Sequence, residues 1–223
     1  MAKTKTYGHY CAAARALEVV GEKWSLLIVR DLLQGPQRFS DLARTLGGIT
    51  PKLLTVRLRE LEASGVIDRD EEAGRREVWY RLAPAGEALR PVIEELLVWG
   101  VEHAPLPGPG DTVNPRRGAN STVTILNRRK VKPAQPTTWS LRLSNEGAPA
   151  IHFNGERWSR VPESDPSPID LTIETDPQTW ISLLRSQGDD RETYLREVRL
   201  TGDAAHTEEF MRLLSAHGQQ RSM

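Results

Sequence analysis

Cysteine is nearly absent: the 223 residues hold one, Cys11. An intrachain disulfide is therefore excluded, and a cysteine-built metal cluster is not expected. No apolar run approaches the roughly 20 residues that span a bilayer. The opening MAKTKTYGHY has no apolar stretch of the kind a secretion signal needs. These absences lead to the expectation of a cytoplasmic protein without membrane contact. An excess of charge is missing as well: 30 Lys+Arg balance 30 Asp+Glu. The balance holds in each half, with 15 of each sign in residues 1–104 and 15 of each in residues 105–223. A strongly basic nucleic-acid binder is thereby excluded, so any such surface must be local. Catalytic patterns are also lacking. The five histidines (His9, His103, His152, His206, His217) are scattered, HExxH does not occur, and no glycine loop has phosphate-binding spacing. No enzyme and no cofactor is expected.

What is present begins with residues 50–64, TPKLLTVRLRELEAS. Thr50 suits an N-cap and Pro51 the first helical position, where its missing N–H is harmless. At 100° per residue Leu54, Leu58 and Leu61 share one face, with Leu53 at its edge. Lys52, Thr55, Val56, Arg59 and Glu62 take the other, and Gly65 stops the helix. A helix with a leucine face and a basic, hydroxylic outer face has the layout of one laid into a DNA major groove. Around it, residues 30–59 carry six basic groups (Arg30, Arg38, Arg44, Lys52, Arg57, Arg59) against Asp31 and Asp41, a local excess of four.

Helical periodicity covers Ala12–Val20 and Glu22–Leu33. Ser40 is placed to cap a third helix over Asp41–Leu46, and Gly47-Gly48 turns into the opening helix, completing a helix-turn-helix. Val66–Arg69 and the alternating Val78–Leu82 predict a hairpin, a wing with Arg75 and Arg76 at its tip to meet phosphate. From Pro84 to about His103 one further helix is expected. Its stripe of Leu89, Ile93, Leu96, Leu97 and Val101, with Val92 and Trp99 nearby, suits a dimer seam.

Residues 8–104 resemble the HxlR-type winged-helix transcriptional regulators of bacteria. The likeness rests on Cys11, Gly21-Glu22-Lys23-Trp24, Phe39-Ser40-Asp41-Leu42, Leu54-Thr55-Val56-Arg57-Leu58, Glu60-Leu61 and Pro84-Ala85-Gly86. The resemblance implies a homodimer on a double-stranded DNA operator, acting as a repressor. Ser40, Thr50, Lys52, Thr55, Arg57, Arg59, Arg75 and Arg76 are then the DNA-contacting candidates. The family also implies a redox-sensing use of Cys11, and a thiol at a helix N-terminus is the more reactive for being there. Two departures stand out: Ala12 follows the cysteine where the family has Pro, and Arg75-Arg76-Glu77 replace the prolines of the wing tip.

Residues 105–118 contain LPGPGDTVNPRRG, a linker by composition. Thereafter strand patterns dominate. Ser121–Leu126, Trp139–Leu143 and Ile169–Glu174 alternate, and Asn154-Gly155 marks a hairpin. Asp176-Pro177 opens a helix holding Trp180, Leu183 and Leu184; a strand with Val198 and Leu200 and a helix with Phe210, Leu213 and Leu214 close the chain. The fold class is α+β: a winged helix over 1–104, then over 119–223 an antiparallel sheet covered by helices. The second part is similar to the sterol-carrier-protein type lipid-binding domain. That likeness implies a hydrophobic small-molecule effector held by Trp139, Phe153, Trp180, Leu184 and Phe210. A lipid carrier and a thiol-switched regulator through Cys11 remain as alternatives.

Overall fold

A computed structural model describes residues 6–71, 77–108, 110–111, 113–143, 145, 147–165, 167–186 and 189–216. The chain divides into two units, residues 1–95 and 96–223.

The first unit starts with α1 (Ala12–Val20) and α2 (Ser25–Leu32). A two-residue strand, β1 (Gln37–Arg38), leads into α3 (Phe39–Leu46). The N-cap of α3 is Arg38, and Ser40 sits exposed in the first turn instead of capping it. Gly47 and Gly48, with φ of 54° and 61°, turn the chain into α4 (Pro51–Ala63). Two successive residues at positive φ favour glycine, which has no Cβ to clash there. Then β2 (Ile67–Glu71) and β3 (Val78–Leu82) pair antiparallel, Ile67 opposite Leu82. β1 joins the other edge of β3, giving the order β1-β3-β2.

The helix expected from Pro84 onward is broken into α5 (Pro84–Glu87) and α6 (Arg90–His103). Pro91 explains the break: it has no N–H to continue the ladder from α5, and as the second residue of α6 it falls in a first turn, where that N–H is not needed. The core of the unit joins Ile28, Val29, Leu32, Leu42, Leu54, Leu58, Leu61 and Ile67, each at most 2% exposed. The three leucines of α4 thus hold one side of that helix against the core, as their spacing requires.

In the second unit, α7 (Pro115–Arg128) occupies the stretch whose residues 121–126 read as a strand. Asn114 caps it, accepting from the Arg117 N–H at 3.0 Å, with Pro115 at the first position. Its buried residues, Ala119, Thr122, Ile125 and Leu126, recur at helical spacing. The β-branched run mimics alternation, but the capped start and the longer period prevail. Then come β4 (Thr137–Arg142), β5 (Ala150–Phe153), β6 (Trp158–Arg160) and β7 (Leu171–Glu174). After α8 (Pro177–Arg185) and α9 (Asp189–Arg196), β8 (Arg199–Gly202) and α10 (Ala204–Ala216) end the described chain. The sheet order is β6-β5-β4-β7-β8. Its ladders are antiparallel except β4 with β7, which run parallel with Leu141 opposite Ile173. The sheet is therefore mixed, because the connection from β6 crosses to the far side of β4.

Candidate nucleic-acid interface

The side of α4 turned away from its leucines is built by local chemistry. Thr50 accepts a hydrogen bond from the Leu53 N–H at 3.3 Å, satisfying one open donor of the first turn. Lys52 and Arg59 are exposed. Neither forms an ion pair among the described residues, so both ammonium and guanidinium are free to meet an anion. Thr55 lies between them in sequence and to one side of both on the wheel, half-buried; its hydroxyl donates to the Pro51 carbonyl at 2.9 Å. Val56 completes this arc and is 39% exposed.

Arg57 stands apart from these. Its side chain is only 14% exposed and pairs with Glu22 at 2.9 Å and with Glu60. Its charge is neutralised inside the unit, and its guanidinium ties α4 to the turn between α1 and α2. In that turn Trp24 holds a left-handed backbone, φ 84°, rare for a bulky residue. A Cβ built on Gly48 would lie 3.8 Å from the Trp24 indole, so this ring backs the turn that aims α4.

On the wing, Tyr80 of β3 is buried while Val78 and Leu82 pack against the core. Arg81 pairs across to Asp68 at 3.4 Å and Asp70 at 3.8 Å. Arg75 and Arg76 lie outside the described residues. β1 adds something that the sequence did not announce: Arg38 pairs with Glu77 at 2.7 Å and stacks over Trp79, 4.6 Å from the ring centre. Two residues are too few to show alternation, which is why this third strand has no sequence signal.

Cys11 is exposed at the N-cap of α1. The backbone N–H groups of Ala14 and then Ala13, at the open end of the helix, favour its thiolate and lower its pKa from the ordinary thiol value.

In the second unit Trp139, Phe153, Trp180, Leu184 and Phe210 are all buried and belong to one apolar cluster. Trp139 lies 4.4 Å from Trp158 and 5.3 Å from Phe210, ring centre to ring centre. Two of the buried indole N–H groups have partners, Trp158 donating to the Val131 carbonyl at 2.7 Å and Trp180 to the Thr122 hydroxyl at 2.8 Å. Among the described residues no group of three or more His, Cys, Asp or Glu is placed to hold a metal ion. No described helix is long and apolar enough to cross a membrane.

Comparison with known proteins bears chiefly on the N-terminal part of the chain. Residues 19–106 match the model of the HxlR-like helix-turn-helix. The uncharacterized HTH-type transcriptional regulator YkvN of Bacillus subtilis is 40% identical over 95 residues, covering 42% of this chain and 80% of the relative. The uncharacterized HTH-type transcriptional regulator Rv3095 of Mycobacterium tuberculosis is 36% identical over 147 residues, 60% of this chain and 91% of the relative. The crystal structure of the HTH-type regulator YtcD is 39% identical, covers 42% of this chain and 96% of that one, and superposes with a TM-score of 0.40.

Proposed function

The chain belongs to the HxlR-like helix-turn-helix family of transcriptional regulators, and on that premise we propose that it is a dimeric repressor reading an operator with α4. The observation that carries this reading is the exposed pair Lys52 and Arg59, with half-buried Thr55 beside them, opposite three buried leucines and free of carboxylate partners among the described residues. Lys52, Thr55 and Arg59 enter the major groove. Ser40, Thr50, Arg57, Arg75 and Arg76 contact the backbone; Arg57 does so only by exchanging a carboxylate for a phosphate. Dimerisation is supported by the apolar residues α6 leaves exposed, Val92, Leu96 and Trp99 at 45%, 47% and 58%. Two-fold symmetry sets the two reading helices about one DNA turn, roughly 34 Å, apart. The experiment is a gel shift at fixed salt on the protein's own promoter: Arg59→Ala should lose about 1–3 kcal/mol of specific binding. Unchanged affinity would show that the wrong face has been assigned.

Residues 119–223 are proposed as the effector domain, taking an apolar small molecule between sheet and helices. The buried aromatic cluster supplies the chemistry, and a ligand entering there must part the tilted and edge-on contacts of Trp139 with Trp158 and Phe210. Ligand retained through purification, seen by native mass spectrometry and lost in Trp139→Ala, is the expected result.

A second reading is favoured by one observation, the exposed Cys11 thiol at the open end of α1. With no other cysteine in the chain, any disulfide formed there joins two chains or adds a small thiol. An oxidant titration of operator binding that is the same in Cys11→Ser as in the parent removes this arm.

A further inference from the structure

We propose that α4 reads the 5-methyl group of thymine with Val56, supported by the methyl of Thr55, so that each operator half-site carries a T·A pair beneath the middle of the helix. This rests on the groove-reading assignment of α4 made above. Ahead of Glu62, four side chains occupy the outer arc of that helix. Two are cations, Lys52 and Arg59, one on each side in sequence. The two between them are Thr55 and Val56. Valine is an uncommon choice for an exposed helical position, because its branched Cβ loses rotamer freedom there. Val56 is nevertheless 39% exposed and is not part of the unit's core cluster.

The Thr55 hydroxyl proton is committed to the Pro51 carbonyl at 2.9 Å. It cannot then donate to a base, and its methyl becomes the group it offers beside Val56. An apolar pair set between two cations matches one feature of duplex DNA. Of the base edges in the major groove, only that of thymine presents a methyl group; the others present hydrogen-bonding atoms. The flanking Lys52 and Arg59 suit guanine O6 and N7 or the phosphates on either side. Glu62, which follows on the same side of the helix, disfavours phosphate beyond this arc, so contact is confined to the first two and a half turns of α4, Pro51 to Arg59.

The test uses the full-length protein and duplexes it selects from a random-sequence library at fixed salt. Each thymine of the selected duplex is replaced in turn by deoxyuridine, which removes the methyl and leaves the hydrogen-bonding edge intact. At the thymine under α4 the parent protein should lose about fourfold in affinity, the value of one buried methyl. Val56→Ala should bind the thymine duplex more weakly by the same factor and no longer distinguish thymine from deoxyuridine there. A urea unfolding midpoint unchanged in Val56→Ala shows that the fold is intact. The proposal is overturned if the parent binds every deoxyuridine duplex equally well while Arg59→Ala still loses selective binding. Equal weakening of Val56→Ala on all duplexes, selected or not, overturns it too. Failure to select any sequence would instead remove the groove-reading assignment itself.

Discussion

Glu22, in the turn between α1 and α2, holds Arg57 of α4 by a 2.9 Å ion pair across 35 residues of sequence. Glu60, one turn along α4, takes the other side of the same guanidinium. The arginine therefore acts as a strut between α4 and the turn that joins α1 to α2. Among the described residues its buried Nε has no hydrogen-bond partner, so the guanidinium is held through its two terminal nitrogens. Glu22→Gln should cost little stability, about 0.5 kcal/mol, because that carboxylate is half exposed. It should, however, release a cation. The slope of log affinity against log salt on non-specific duplex should steepen by about 0.9 if Arg57 then reaches a phosphate. A slope equal to the parent's would show that Arg57 stays within the unit.

Thr50 tests the start of the same helix. Its side chain accepts from the Leu53 N–H. Thr50→Ala should lower the free energy of unfolding by about 1 kcal/mol, measured by urea titration. Thr50→Ser should restore most of that loss. A serine variant no better than alanine would show that the hydroxyl does not cap α4.

Two glycines should separate strain from collision. Gly48 needs a left-handed backbone but has room, with only the Trp24 ring near at 3.8 Å. Gly86 has an ordinary backbone, but a Cβ there would meet the Val66 carbonyl oxygen at 2.2 Å and the Leu82 side chain at 2.9 Å. Gly48→Ala should cost about 1 kcal/mol of strain. Gly86→Ala should cost about 3 kcal/mol, since α5 must move away from the start of β2 and the end of β3. Thermal unfolding of the two variants side by side gives the order, and a reversed order would refute the assignment.

Cys11 gives a pH dependence. The folded state favours its thiolate, so the associated stability is present above the unfolded thiol pKa. It is lost as pH falls through the lower folded value. Alkylation by iodoacetamide follows the thiolate fraction, so its rate should rise to half-maximum at a pH below that of an ordinary thiol. In concentrated urea α1 melts and the midpoint should move up to the ordinary value. Identical midpoints in the two conditions would mean that the N–H groups of Ala13 and Ala14 do not act on the sulfur.

Much of the first unit was legible because one signal served two levels. In α4 the leucine spacing, the cap at Thr50 and the proline at position 51 all demand the same helix, and burial of that face leaves Lys52 and Arg59 outside. Signals that conflict were resolved only by packing. Residues 121–126 alternate like a strand, yet Asn114-Pro115 starts a helix that carries through them. Ser40 is a good cap by type, but the chain enters α3 one turn corner earlier, where β1 pairs with β3 and places Arg38 at the cap.

The amino-acid order by itself determined the two-part α+β plan, the helix-turn-helix with its wing, and which side of α4 is apolar. These follow from periodicity, caps and turn residues, which act over a few neighbours. Only the tertiary structure decided that Arg57 is bound to Glu22 while Lys52 and Arg59 are not, that Trp24 takes a left-handed backbone, and that β4 pairs parallel with β7. Each of these depends on groups far apart along the chain, whose meeting is set by how cores fill and how sheets close, and no local pattern records it.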